Sequence, residues 1–263
     1  MDLGINGKIA LVTAASRGLG RGCAQQLAFE KCRVAICSRD ETAVKQAAKE
    51  IAEQSGAEVL GFGADVSKAE DVSRLLRDVR KSLGDPEILV TNAGGPPPGT
   101  FASTALEEYD KALNLNLMSA VNLIHGVVPA MKASGWGRII AITSISVKQP
   151  IATLLLSNMA RAGLTGFLKT LSTELAAFGI TVNALLPGTH KTSRIEQLVR
   201  DTAAREKKAE EDVYREMVDA IPCKKIGDPA DFGAAAAFLA GKSARYITGQ
   251  NLLIDGGRYG GLL

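Results

Sequence analysis

The chain has 263 residues, 46% of them hydrophobic, 22% charged and 5% aromatic, which is room for one large domain or two small ones. Charges nearly cancel: 31 Lys and Arg against 28 Asp and Glu leave a formal +3, too little to mark a nucleic-acid binder. No uncharged apolar run reaches ~18 residues, so a membrane span is excluded. The N-terminus carries an acid, Asp2, and lacks the long apolar stretch of a signal peptide. The four cysteines, Cys23, Cys32, Cys37 and Cys223, include no CxxC pair, and three of them are expected as buried free thiols. Together these features predict a cytoplasmic, single-domain protein over residues 1–263.

Short apolar runs recur along the chain. In order they are Ile9–Val12, Val34–Cys37, Val59–Phe62, Ile88–Val90, Ile139–Ile142, Val182–Leu186 and Leu252–Ile254. Each is too short for an independent helix, and most lack the alternation of a half-wet strand. They are expected as strands buried on both faces. Helix-spaced segments such as Glu41–Gln54 and Lys68–Leu83 separate them. Seven strands alternating with helices predict an α/β fold built on a doubly wound, seven-stranded parallel sheet. The stretch Ser193–Ala220 breaks the rhythm, because it is long, charged and helical with no strand inside it. It is expected as part of a helical flap, about residues 189–222, over the strand ends where ligands bind in such sheets. Val213, Met217 and Ile221 share a four-residue spacing and form its expected inward stripe.

Directly after the first run comes Thr13-Ala14-Ala15-Ser16-Arg17-Gly18-Leu19-Gly20, opening an amphipathic helix. Gly18 and Gly20 permit close backbone approach, and the helix N-terminus presents unpaired N–H groups to an anion. At a strand-to-helix turn this pattern predicts a dinucleotide phosphate site; the bland alternative is a tight turn without a ligand.

These residues resemble the TGxxxGxG fingerprint of the short-chain dehydrogenase/reductase family, and the resemblance covers essentially the whole chain. Ala14 stands where the fingerprint has its first glycine, and its methyl group disfavours positive φ. Asp65-Val66 resembles the pair that contacts adenine in the family. Asn92-Ala93-Gly94 resembles its NNAG segment, with Thr91 in place of the first Asn. Asn116 matches the catalytic-helix Asn, and Ser144, at the end of the fifth strand, matches the catalytic Ser. Pro187-Gly188 followed by Thr192 is similar to PGxxxT, which holds the nicotinamide carboxamide and a phosphate. The resemblance implies a Rossmann fold, a nicotinamide cofactor and an activity like that of the 3-oxoacyl-[acyl-carrier-protein] reductases.

An acid at the end of the second strand would bind both ribose hydroxyls of NAD. Here the strand ends Cys37-Ser38-Arg39-Asp40. Ser38 is neutral, while Arg39 and Arg17 of the glycine loop suit a 2′-phosphate, because guanidinium groups fork onto phosphate oxygens. The expected cofactor is therefore NADP(H) rather than NAD(H). The competing possibility is that Asp40 turns inward and accepts from the ribose.

The family's proton donor is a Tyr with a Lys four residues later. An adjacent ammonium lowers the phenol from its ordinary pKa of about 10. Counting from Ser144, these two positions fall on Ser157 and Arg161, in a register fixed by the following Ala162-Gly163-Leu164-Thr165-Gly166-Phe167. None of the four tyrosines, Tyr109, Tyr214, Tyr246 and Tyr259, belongs to another YxxxK. Serine is a far weaker acid than a phenol, and Arg161 stays charged and cannot shuttle protons. Arg161 could instead bind ribose hydroxyls, steady a developing alkoxide or fork onto a substrate carboxylate. Candidate acids are His190, in the loop after Pro187-Gly188 and with an ordinary pKa of about 6.5, and Lys148, on the loop after Ser144. A water, a substrate group and an absence of chemistry are the other readings.

Two functions follow. One is an NADP(H)-dependent oxidoreductase acting on a carbonyl or alcohol, with an atypical proton donor. The other is a catalytically inactive member that binds cofactor or serves structurally. The family usually assembles through its two catalytic helices. Here Ala162, Leu164, Phe167, Leu168, Leu171 and Leu175 make the second of them apolar around much of its girth, so a homotetramer is expected. His125, in the apolar segment Leu123–Val128, reads as a packed or interface residue. The two distant histidines make no metal site, and no nucleic-acid or membrane partner is expected.

Overall fold

The computed structural model describes residues 2–262. Seven parallel strands form one sheet: β1 (Ile9–Val12), β2 (Arg33–Ser38), β3 (Val59–Gly63), β4 (Ile88–Thr91), β5 (Gly137–Ile142), β6 (Ile180–Pro187) and β7 (Asn251–Ile254). Their order is β3-β2-β1-β4-β5-β6-β7. Every run expected as a strand is one. The chain winds outward from β1 to β3, then returns to pair β4 with the other side of β1, so Val12 lies beside both Ile36 and Val90. The strand order reverses there, which opens a crevice at the carboxyl ends.

Strand side chains alternate between two cores. Val12, Ile36, Val90, Ile140 and Leu185 face one way, towards α1 (Gly18–Phe29), α2 (Glu41–Ser55) and α9 (Pro229–Ala240). Leu11, Ala35, Leu89, Ile139 and Ala184 face the other, towards α3 (Ala69–Ser82), α5 (Ser119–Ser134) and α6 (Leu155–Ala176). Each fully buried Leu, Ile or Val contributes about 1.5–3 kcal/mol. This explains the unbroken apolar runs: both faces of the sheet are covered.

Two local features matter for the site. Helix α2 starts at Asp40, whose carboxylate accepts the Ala43 N–H at 2.9 Å, an N-cap that occupies this side chain at the helix end. Helix α4 (Glu107–Leu113) runs into α5 through a π turn, Asn114–Met118.

The flap consists of α7 (Ser193–Glu206) and α8 (Glu210–Asp219). Val199, Ala203 and Val213 form its small core, with Ile195 and Met217 against it. Val213 and Ile221 are buried, as the expected stripe requires. A cleft of about 340 Å³ lies between the flap helices, lined by Thr192, Ile195, Val199 and Tyr214 among others. His125, expected to be packed or at an interface, is exposed in this chain. Among the described residues, no helix is long and apolar enough to cross a membrane.

Candidate active site

The carboxyl ends of β1, β4 and β5 assemble the site. Thr13 is fully buried, and its hydroxyl donates to Asn92 O at 2.7 Å and accepts the Asn92 N–H at 2.8 Å. It staples the first strand to the fourth. The Asn92 side chain then donates to Ala14 O at 3.2 Å, which steadies the glycine turn. Gly20 sits so close beneath this turn that a Cβ there would lie 2.5 Å from Ala14 O. Ala14 adopts φ +47°, although its methyl group disfavours that region. Arg17 is exposed at the N-cap of α1 without a side-chain cap bond. Ser16 and Leu19 are half-buried along the same turn.

The adenosine end has its polar groups in defined places. The Ser38 hydroxyl donates to Asp40 O at 2.8 Å. Asp40 caps α2 through one carboxylate oxygen, and Arg39 and Arg17 remain exposed. Asp65 holds the Ser67 N–H and O–H on its Oδ1 at 3.1 and 2.7 Å. Val66 is buried beside it.

Toward the nicotinamide end, the Gly94 backbone faces open space, with no atom within 4 Å of where a Cβ would stand. Ala93 is half-buried next to it. Asn116 is buried, donates from Nδ2 to Gly94 O at 2.8 Å and leaves its Oδ1 with no hydrogen-bond partner. The π turn gives Asn116 this inward aim. Ser144 accepts the Ser146 N–H at 3.0 Å, which leaves its own hydroxyl hydrogen free to donate. Gly188 packs on Asp255, and the Thr192 side chain lies over Gly18, closing the loop after Pro187 onto the glycine turn. An open backbone at Gly94, a glycine-supported turn and an orphaned buried acceptor at Asn116 fit a dinucleotide lying across the crevice.

Ser157 and Arg161, the positions where the resemblance places Tyr and Lys, form their own unit. Arg161 is 7% exposed; its Nε donates to Ser157 Oγ at 3.2 Å, and its Nη1 donates to Ile142 O and Thr143 O, each at 3.0 Å. Burial, followed by the charge of Arg194, pulls its pKa down to about 10. It remains protonated at neutral pH. Ser157 is buried and accepts that Nε bond.

His190 is packed into the interior. It is 4% exposed, meets Phe232 edge-on at 5.2 Å, and approaches Gly188 O with Nδ1 at 3.4 Å. Burial holds its pKa below the ordinary value, against the opposing pull of Gly188 O and of Asp231, Asp228 and Asp255. Lys148 stands over the Tyr259 ring at 5.5 Å, which brings the C-terminal segment to the Ser144 loop. Arg258, one residue earlier, donates to Thr189 Oγ1 at 2.8 Å. Arg194, within the stretch expected as a helical flap over the strand ends, was not singled out by the sequence. In the fold its guanidinium rests directly on Gly95. The signal for it was a glycine immediately after Asn92-Ala93-Gly94, two strands away from the arginine.

Comparison with known proteins matches this geometry to a family. A family model described as enoyl-(acyl carrier protein) reductase matches residues 13–258. The chain is 36% identical to nodulation protein G of Azospirillum brasilense, over 95% of this chain and 97% of that one. It is 34% identical to a 3-oxoacyl-[acyl-carrier-protein] reductase of Staphylococcus epidermidis, over 96% and 99% of the two chains. The L-sorbose reductase of Gluconobacter frateurii, solved with NADPH and L-sorbose, superposes with a TM-score of 0.96 at 32% identity and full coverage of both chains. The chain belongs to the short-chain dehydrogenase/reductase family.

Proposed function

We propose that the protein is an NADP(H)-dependent oxidoreductase that interconverts a carbonyl and an alcohol, with a proton donor other than the family's phenol. The observation that carries this reading is the retained pair at the reacting end: Ser144 with a free hydroxyl hydrogen, and Asn116 anchored to Gly94 O. When bound, the cofactor supplies or accepts the hydride. Thr13, Asn92, Gly18 and Gly20 shape the phosphate turn, Arg17 and Arg39 hold the 2′-phosphate, and Gly94, Gly188 and Thr192 frame the nicotinamide end. Relatives of 3-oxoacyl reductase type and the NADPH complex of the L-sorbose reductase support the cofactor choice. So does the engagement of Asp40 as a helix cap, which leaves the two arginines unopposed there.

Ser144 donates to the substrate oxygen, and the positive charge of Arg161 stabilises negative charge developing on it. The proton itself comes from Lys148 or a water beside it. His190 is a poorer donor, because its ring packs on Phe232 and burial disfavours its charged form. The proposed assembly is a homotetramer, supported by the exposed Ala162 and half-buried Phe167 on α6. Light scattering at micromolar concentration checks it, and a monomer overturns it.

The deciding experiment is a fluorescence titration with NADPH and NADH, followed by a carbonyl screen. NADPH is expected to bind at least about tenfold more tightly, and Arg39→Asp is expected to erase the preference. Oxidation of NADPH with none of a broad panel of ketones and oxo acids would refute the catalytic part. Absence of binding would refute the whole reading.

A further inference from the structure

Two arginines converge on the reacting end without an acid between them. Among the described residues, the guanidinium of Arg194, the second residue of α7, makes no ion pair and no hydrogen bond. Its neighbours on the flap do: Arg200 bonds Gln197, Arg205 pairs with Glu206, Lys208 with Glu206 and Glu216, and Arg215 with Asp212. Instead of reaching for these, the Arg194 guanidinium lies on Gly95, where a Cβ would collide with Nη1. Gly95 adjoins Gly94, the residue whose carbonyl Asn116 holds. Arg161 approaches from beneath, tied to the carbonyls of Ile142 and Thr143. The two anchor points lie just beyond Thr91 and Ala141, which pair across neighbouring strands.

Arg161 is a buried cation whose hydrogen bonds all go to neutral oxygens, those of Ser157, Ile142 and Thr143. A buried charge without a counterion is costly, and a second cation above it raises that cost. Such a field is matched when an anion enters and takes a forked pair of N–H bonds from the guanidinium. The cofactor's diphosphate is one source of negative charge, but it belongs at the Gly18–Gly20 turn, which Thr192 covers. Arg194 lies instead on Gly95, beside Gly94, whose carbonyl Asn116 holds.

We infer that the substrate bears an anionic group, a carboxylate beside or near the reacting carbonyl, held by Arg194 in the field of Arg161. This rests on the oxidoreductase reading and narrows it to oxo acids or hydroxy acids.

The test titrates pyruvate and phenylpyruvate, each against its methyl ester, into the protein with and without bound NADP⁺. The acids are expected to bind at least about tenfold more tightly than the esters. Arg194→Gln is expected to reduce that ratio to about twofold while NADPH affinity stays within about twofold, and Arg194→Lys to keep part of the ratio. Equal binding of acid and ester, or binding of neither, overturns the inference. So does an Arg194→Gln protein that loses NADPH affinity but keeps the acid preference, because the arginine would then serve the cofactor's phosphates. Should the wild type fail to bind NADPH, the oxidoreductase reading falls by itself, and the acid-to-ester ratio of the cofactor-free protein still decides the clamp.

Discussion

Ala14 is the residue whose replacement the structure prices most directly. It sits at φ +47° in the glycine turn, where an L side chain costs about 1–2 kcal/mol. Replacement by glycine releases that strain. Against it stand the extra freedom of glycine in the unfolded chain, about 0.5–1 kcal/mol, and the loss of a half-buried methyl, about 0.3 kcal/mol. The balance is a gain of about 0.5 kcal/mol, or about 1–2 °C in Tm for a chain of this size. Ala52 provides the control: it is half-buried in α2 at ordinary helical geometry, so Ala52→Gly should cost about 1 kcal/mol. Urea unfolding of the two variants beside the wild type measures both from the midpoint, with the slope unchanged. Opposite signs are the expected result. If Ala14→Gly loses stability as Ala52→Gly does, the strain argument is refuted.

Other consequences are as direct. Asp40→Ala should cost about 1 kcal/mol through the lost cap without weakening NADPH; a tenfold weaker NADPH affinity would place that carboxylate at the ribose instead. Ellman's reagent should label one thiol, Cys223, in the native protein and four in urea, because burial lifts Cys23, Cys32 and Cys37 to about 12. Rapid native labelling of more than one would contradict the packing. His190 has a lowered pKa in the fold, so stability is complete above its unfolded value of about 6.5 and falls as pH drops below it. His190→Gln should flatten that acid slope; an unchanged slope would assign it to other groups. Lys148→Met should lower turnover at least about tenfold with NADPH affinity retained, as single-turnover kinetics would report, and unchanged turnover would remove it as the proton source.

Strands and cores were legible because burial on both faces writes uninterrupted runs such as Ile139–Ile142, and no tertiary accident is needed to produce them. The glycine turn after β1 was legible for a related reason: Gly18 and Gly20 answer a local backbone demand. The reacting end was read only in part. Ser144 and Asn116 lie in chain order beside recognisable segments, but where Arg161 points depends on two carbonyls, of Ile142 at the end of β5 and of Thr143 just beyond it. His190 looked available because Pro187 and Gly188, just before it in the chain, were expected to lie beside the nicotinamide. Its burial is decided by Phe232 and Gly227, far along the chain. Arg194 left no periodic trace, since one long side chain crossing from a flap to another strand's loop obeys no repeat.

The π turn between α4 and α5 has a consequence for how this chain tolerates change. A wide turn accommodates one residue more than an α-helical turn does. Deleting a single residue within Asn114–Met118 would let the segment close into one uninterrupted helix with better local hydrogen bonding. The helices on either side would keep their phase, because the wide turn holds the one extra residue that the deletion removes. What would be lost is the local widening that lets Asn116 reach Gly94 O. Local order and the placement of one amide are set against each other here, and the fold retains the amide.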